Sequence, residues 1–236
     1  MNKQSNVYTI IYIVVLVVVV GVALALTATA LKPKQIENAN ADKMRQILAS
    51  VHVQTDASDV ISVFDASITD QFIVNSMGEK VEGNAFDVDV AAQSKIADPA
   101  KRLLPVYVYN SSDSGKKYIL PVYGAGLWGP IWGYLAIDSD GSTIYGAYFG
   151  HQGETPGLGA EIEKSAFTDQ FNGDLHLFKD GRFMPIAVVK AGQAPQGGED
   201  YVDGVSGGTI TSKGVGSMLN NCIAPYQAFL KNLQNK

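Results

Sequence analysis

Four hydroxyl side chains and three glycines are concentrated in the segment VDGVSGGTITS, residues 202–212, just before a helix-like C-terminal stretch. The glycines permit positive φ and let backbone amides converge, and a helix beginning near Ser212 would point its positive end at them. Such a loop can hold a phosphate group. The alternative is an ordinary turn with a Ser or Thr helix cap. Spacing alone favours that alternative, because the loop lacks the lysine of a P-loop and the complete GxGxxG spacing.

A second candidate is the segment HQGETPGLGAEIE, residues 151–163, which follows a strand-like stretch and precedes a helix-like one. Pro156 fixes one turn and Gly157 and Gly159 permit another, so the backbone there can approach a flat or bulky group. The alternative is a plain strand-to-helix loop in which Glu154 is exposed.

Two tryptophans lie in a third stretch, YGAGLWGPIWGYL, residues 123–135. Trp128 and Trp132 could form an interface or a wall for an aromatic ring. Core packing is the commonest role of such residues, and it is the expectation here.

Cysteine and histidine predict neither a metal centre nor a redox centre made by the chain itself. Cys222 is the single cysteine, which excludes an intramolecular disulfide and a thiolate cluster from this chain alone. The three histidines, His52, His151 and His176, are too far apart for the HxxxH and HxxEH spacings of zinc sites. No catalytic acid or base is conspicuous, so redox chemistry would need a bound cofactor.

Composition excludes a disordered chain, because 46% of the 236 residues are hydrophobic and 17% are charged. One or two domains are expected from the length. The formal net charge is -5, and residues 35–236 alone carry 15 basic and 23 acidic side chains, or -8. A nucleic-acid partner is therefore not expected.

Residues 7–31 form an uncharged apolar run, flanked by Lys3 on one side and by Lys32 and Lys34 on the other. At about 1.5 Å per residue the run is long enough to cross a bilayer core of about 30 Å, which predicts a membrane anchor. The alternative is a cleaved signal peptide, since residues 28–30 read Ala-Thr-Ala, but signal h-regions are only about 7–15 residues long. We expect the amino terminus in the cytoplasm and residues 35–236 on the outer face, because a large following domain is usually translocated regardless of charge.

The elements after the anchor alternate in type. Residues 35–51 have helical spacing, and a mixed stretch to about residue 100 ends in a segment, AAQSKIADPAKRLL, that is predicted to be helical until Pro99. Residues 103–151 contain at least three antiparallel strands, with a tight turn at Asp140 and Gly141. A short helix is predicted for EIEKSAFTDQF, residues 161–171, and strand-like segments flank a turn at residues 179–182. The last stretch is an apolar helix face, interrupted at Pro225, on which Cys222 packs as a small hydrophobe.

These patterns predict an α+β protein: a single N-terminal transmembrane helix followed by an extracytoplasmic domain with an antiparallel sheet and flanking helices. The expected divisions are a cytoplasmic tip and transmembrane helix at residues 1–34, a membrane-proximal helix and mixed region at residues 35–100, and a cofactor-binding domain at residues 101–236.

Two motifs in the right order carry a resemblance to a known family. VDGVSGGTITS is similar to the flavinylation motif D-x-x-S/T-G-A-T of the FMN-binding domain family, and HQGETPGLG matches that family's second hallmark. Together with GAGLW, the single anchor and APQG at residues 194–197, the chain resembles the family of C subunits of sodium-translocating NADH:quinone oxidoreductases.

The resemblance implies that FMN is attached through its phosphate, as a phosphoester, to Thr209. Asp203, Ser206 and Gly207 are motif positions, and Gly208 stands where the family usually has alanine. If Thr209 were not the acceptor, Thr211 would be the next candidate, one hydroxyl further along the chain.

The second motif is expected to lie against the isoalloxazine ring. The resemblance makes Glu154, Thr155 and Leu158 cofactor-binding positions, with Thr155 and Leu158 as ring contacts.

The implied role is electron relay in a membrane complex. Electrons from NADH would pass through partner subunits to this FMN and on towards ubiquinone, with sodium exported across the bacterial inner membrane. The implied partners are the A, B, D, E and F subunits of that complex, and a separate flavin transferase that uses FAD as donor.

Two alternatives remain open. The G subunit of the RNF electron-transport complex shares both hallmarks and the anchor, although Gly126, Trp128 and the long region at residues 52–100 favour the quinone reductase. The second is a membrane-anchored binding or scaffold domain without a cofactor, in which both glycine loops are simply turns.

Overall fold

The computed structural model describes residues 6–111 and 113–235. The chain divides into two compact units, Met1–Lys43 and Met44–Lys236. Lys3 and the rest of the predicted cytoplasmic tip before residue 6 lie outside the described residues.

The first unit contains most of helix α1, Asn6–Ala49. Its most apolar 18-residue window has a mean hydropathy of 3.1 and is 0% buried, and in the described part of the chain it is the one helix long and apolar enough to cross a membrane. Thr27 and Thr29 donate their hydroxyls to backbone carbonyls four residues earlier, at 2.8 Å each. Their polar groups are thereby satisfied within the helix, as a bilayer requires. The predicted N-terminal apolar helix is confirmed.

The second unit is built on a six-stranded antiparallel sheet with the strand order β2-β1-β3-β4-β5-β6. The strands are β1 Ile68–Val74, β2 Lys80–Val81, β3 Leu104–Ser111, β4 Gly115–Ala125, β5 Pro130–Asp138 and β6 Ile144–His151. The predicted antiparallel strands are confirmed, and so is the tight turn, because Gly141 has φ +68° and its amide donates to Asp138.

Short elements complete the unit around the sheet. The helices are α2 Val60–Ser67, α3 Val90–Ser94, α4 Ser165–Thr168, α5 Thr209–Ile223 and α6 Gln227–Gln234, with 3-10 turns at Ala85–Asp87, Pro99–Lys101, Gly159–Glu163, Asp169–Phe171 and Ala224–Tyr226. Strands β7 Phe178–Lys179 and β8 Arg182–Phe183 form a hairpin, and β9 Ala187–Val189 pairs in parallel with β10 Tyr201–Asp203.

Three predicted helix bounds were wrong. The helix expected until Pro99 ends at Ser94, because the carboxylate of Asp98 caps a separate 3-10 turn. The helix expected over residues 161–171 is two 3-10 turns with one α-helical turn between them. The last helix begins at Thr209, three residues before Ser212.

The core lies between the sheet and the C-terminal helices. Every residue of the predicted apolar helix face is buried: Val215, Met218, Leu219, Cys222, Ile223, Tyr226, Phe229, Leu230 and Leu233. The interruption falls at the predicted Pro225, where a 3-10 turn separates α5 from α6. Cys222 is 6% exposed, and its thiol donates to the carbonyl of Tyr123 on β4 at 3.3 Å. These contacts fix α5, and with it the loop that precedes it, on the sheet.

Candidate functional site

The loop between β10 and α5 is a tight turn anchored to the helix. The amide of Gly208 donates to the carbonyl of Val205 at 3.0 Å, and Gly207 at the turn's third position has φ +76°. Positive φ at that position is characteristic of a type II turn and favours glycine. The hydroxyl of Ser212 accepts from the amide of Val205 at 2.9 Å, which holds the turn against the first turn of α5.

The amino terminus of α5 has no side-chain cap. Gly208 is the N-cap residue, and no side chain accepts a hydrogen bond from the first helical amides. An α-helix leaves its first backbone N–H groups without intrahelical partners, so the positive end of this 15-residue helix remains available. The helix-cap alternative for the hydroxyl cluster is therefore wrong, and the geometry matches that of an anion-binding site.

The two candidate threonines of this helix differ in accessibility. Thr209 is exposed, and its hydroxyl has no hydrogen-bond partner within residues 6–111 and 113–235. Thr211 is 1% exposed, and its hydroxyl donates to Oε2 of Glu154 at 2.5 Å. Of these two threonines, Thr209 therefore presents the free hydroxyl at the open end of the helix.

Glu154 is buried at the centre of the site. The residue is only 4% exposed, so the expectation of an exposed Glu154 in a plain loop was wrong. One carboxylate oxygen accepts from Thr211 and the other accepts from the amide of Trp128 at 2.8 Å. The amide of Glu154 donates to Nδ1 of His151 at 3.2 Å. Glu154 thus joins α5, the β4–β5 turn and the end of β6.

The pKa of Glu154 is lowered despite its burial. Burial alone raises the pKa of a carboxyl group, because it disfavours the charged form. The hydrogen bonds from Thr211 and from the amides of Trp128 and Leu127, together with the imidazole of His151, outweigh burial and bring the pKa of Glu154 below its ordinary value. Glu154 is therefore ionised at neutral pH.

The second-motif loop packs on the first. A Cβ on Gly207 would lie 2.6 Å from Cδ2 of Leu158, and one on Gly208 would lie 3.2 Å from the backbone of Leu158. The two motifs, about fifty residues apart in the sequence, are thus in contact through Leu158. Thr155 is exposed in the same loop, and its carbonyl accepts from the amides of Leu158 and Ala160 at 3.1 Å each.

The two tryptophans have different roles. Trp132 is half-buried on β5, where its Nε1 donates to Gln46 at 3.0 Å and its ring covers Gly150. Trp128 is 68% exposed at the β4–β5 turn, so the core role expected for it was wrong. Composition alone does not distinguish the two, but Trp128 lies next to Gly129 and close to Gly126, and such glycines mark a turn.

Apolar side chains that remain exposed lie next to Thr209 in sequence or belong to the segments joined by Glu154. They are Leu127, Trp128, Leu158 and Ile210, each at least 43% exposed. Sequence reasoning missed Leu127 and Ile210, for which no periodicity signal exists in loops and helix ends. An apolar surface next to an anion site fits a ligand with a flat apolar ring and a phosphate.

The remaining motif positions hold the loop from its other side. Asp203 ends β10, and its backbone amide and carbonyl bond the side-chain amide of Gln170 at 2.8 and 3.1 Å. Its carboxylate accepts from the amide of Gly192 at 3.3 Å. Ser206 is exposed at the turn. Asp203 therefore supports the turn, whereas Ser206 is accessible, as Thr209 is.

Comparison with known proteins defines the class first. Residues 126–224, which contain both motifs, match the family model described as FMN-binding domain. The chain is also 36% identical over 200 residues to the C subunit of Na(+)-translocating NADH-quinone reductase from Vibrio alginolyticus, covering 78% of this chain and 77% of the relative. The Yersinia pestis protein of the same name is 34% identical over 99% of this chain and 95% of its own length.

Solved structures agree. The crystal structure of the Na(+)-translocating NADH-quinone reductase C subunit from Parabacteroides distasonis is 49% identical, with a TM-score of 0.79 over 85% of this chain and 96% of that chain. That of NqrC from Shewanella oneidensis is 25% identical, with a TM-score of 0.68 over 84% and 99%. The chain belongs to the family of Na(+)-translocating NADH-quinone reductase C subunits, which confirms the resemblance found in its motifs.

Proposed function

We propose that this chain is the C subunit of a membrane oxidoreductase complex and carries FMN bound covalently, through its phosphate, to the hydroxyl of Thr209. The observation that supports this most strongly is the exposed, unpartnered Thr209 at the uncapped amino terminus of α5, within the described residues. The match of residues 126–224 to the FMN-binding domain supports the identity of the cofactor.

The residues around Thr209 fit both parts of FMN. The free amides of the first helical turn suit the charge of a phosphodiester, and the exposed Ser206 hydroxyl lies on the preceding turn. The apolar side chains of Leu158 and Trp128 suit the isoalloxazine ring, with Thr155 in the same loop as Leu158. The ring supplies the electron chemistry, whereas this chain's residues set its position and exclude water from one side.

Attachment requires no catalytic residue of this chain. In the proposed reaction the Thr209 oxygen bonds to the flavin-side phosphorus of FAD as the pyrophosphate bond breaks, the hydroxyl proton is lost and AMP leaves. A separate flavin transferase supplies the base. A phosphoester does not dissociate, so the domain retains its flavin in a compartment where free FMN is scarce.

The complex gives the flavin its role. By the names of its relatives, the chain works with the other subunits, A, B, D, E and F, in passing electrons from NADH towards quinone with sodium export. These names favour the quinone reductase over the RNF complex. The apolar helix within residues 1–34 anchors it in the bacterial inner membrane, and residues 35–236 face the periplasm. In this division residues 35–100 form the membrane-proximal region and residues 101–236 the FMN-binding domain.

Gel fluorescence tests the attachment. The full chain is co-expressed with a flavin transferase, denatured and run on a gel under ultraviolet light, and intact mass is measured. A fluorescent band and a mass increase equal to FMN less water are expected for the wild type and for Thr211→Ser, and neither is expected for Thr209→Val. A wild-type chain without a band contradicts the proposal and returns the cofactor-free scaffold as the better hypothesis.

Protease protection tests the orientation. Added protease should degrade the domain when the outer membrane of whole cells is permeabilised and the inner membrane is intact. A domain that is degraded only after the inner membrane is lysed contradicts the periplasmic placement.

A further inference from the structure

We infer that Glu154 is a positioning residue for flavin attachment, which ties the first turn of α5 to the two loops beside it and so fixes the backbone that presents Thr209. The inference rests on the proposed function of Thr209. It separates Glu154 from Thr155 and Leu158, which lie in the same motif but are exposed.

Glu154 is not placed to contact a ligand itself. The residue is 4% exposed, and both of its carboxylate oxygens are engaged by protein donors. A ring or phosphate bound at the surface would instead meet Leu158 and Thr209. The buried position of the carboxylate indicates that it acts through the segments to which it is bonded.

Those segments are the three that form the site. Thr211 lies on the first turn of α5, two residues after Thr209, and donates to Glu154 at 2.5 Å. Trp128 is on the β4–β5 turn and donates at 2.8 Å, and His151 ends β6 and accepts from the Glu154 amide at 3.2 Å. A charged hydrogen bond in a buried setting is stronger than a neutral one, so these bonds hold the segments together before any cofactor arrives.

Two glycines leave the space in which the carboxylate sits. A Cβ on Gly126 would lie 2.5 Å from Oε1 of Glu154, and a Cβ on Gly159 would collide with Oε2 of Glu154 and with the hydroxyl of Thr211. Neither glycine has positive φ, so backbone conformation does not require glycine at either position. The close approach of Glu154 explains why the sequence has glycine at both.

The first test compares side-chain variants in the full chain, with the rate of flavin attachment by the transferase as readout. Glu154→Ala and Thr211→Val remove the tether, and we expect attachment to slow by about ten-fold or more, as for loss of a buried charged hydrogen bond. Glu154→Gln should restore the rate, because its oxygen can accept from Trp128 while its amide donates to the Thr211 hydroxyl. Thr211→Ser keeps the hydroxyl and should also behave as wild type.

A stability control separates positioning from folding. Tyr226→Phe removes a buried hydrogen bond to Pro105, outside both motif loops. Its chain should lose thermal stability but attach flavin at the wild-type rate at a temperature where all variants are folded. Equal slowing of Tyr226→Phe and Glu154→Ala would show that the effect is general destabilisation and overturn the inference.

Glycine variants test the same point without removing a polar group. Gly126→Ala and Gly159→Ala should slow attachment, because each added methyl group displaces the Glu154 carboxylate. Gly153→Ala is the matched control in the same loop, since a Cβ there has no atom within 4 Å, and it should attach flavin normally.

The outcomes also separate this inference from the proposed function. A wild-type chain that attaches no flavin contradicts the proposed function. A wild-type chain that is labelled at Thr209, with Glu154→Ala and Gly159→Ala labelled as fast, overturns the positioning role alone.

Discussion

The side chain of Leu158 occupies the space beside Gly207, where its Cδ2 would lie 2.6 Å from an added Cβ. This relationship brings the two sequence motifs into contact and explains the glycine at residue 207 twice over. Gly207 has φ +76°, which side chains rarely adopt, and it also leaves room for Leu158.

Gly207→Ala should therefore destabilise the loop through both effects. Left-handed backbone costs a residue with a Cβ about 1–2 kcal/mol, and displacement of Leu158 adds to that. Gly157→Ala is the control, because Gly157 has φ +74° with no atom within 4 Å of its Cβ position. Thermal unfolding should show a larger loss for Gly207→Ala, and Leu158→Ala in the same chain should reduce the difference. Equal losses at the two glycines would refute the contact effect.

Gly208→Ala, which introduces the alanine usual in the family, should leave flavin attachment intact. Gly208 has φ -99°, which alanine accepts, and its Cβ would lie 3.2 Å from the backbone of Leu158 and from Cβ of Val205. Small shifts accommodate these contacts. Because alanine is a poorer N-cap than glycine, a stability loss of about 0.5–1 kcal/mol is expected. Gel fluorescence and thermal unfolding measure the two effects, and loss of the fluorescent band would contradict the prediction.

The sheet, the anchor and the C-terminal helix face could be predicted from the sequence because each follows a repeating pattern. The position of Cys222 on the buried face is an example, since periodicity alone places it. Glu154 could not be placed in this way. Its burial depends on Thr211 and Trp128, which reach it from segments brought together only by the fold. Helix bounds near Pro99 failed for a local reason, the Asp98 cap.

Aromatic packing should determine how firmly the second-motif loop is held. Phe171 lies 5.1 Å from Phe149 and 5.7 Å from Phe167 between ring centroids, and it is 0% exposed. Phe171→Ala should cost about 3–5 kcal/mol, the range for deletion of a buried aromatic side chain. Phe171→Leu retains most of the volume and should cost less. Denaturant titration measures both, and a loss below about 1 kcal/mol for the alanine variant would show that the cluster is not a core element.

The lowered pKa of Glu154 predicts a pH dependence of stability with a definite sign. The folded-state pKa lies below the unfolded value of about 4.3, so the unfolded chain binds more protons and stability rises with pH. The contribution of Glu154 is fully present above the unfolded pKa and is lost as pH falls through the folded one. Glu154→Gln cannot titrate, so its difference from wild type should shrink on acidification. Denaturant titrations from pH 7 downwards, followed by the fluorescence of Trp128 and Trp132, measure this difference. A difference that does not change with pH would show that the carboxylate gains nothing from its partners on folding.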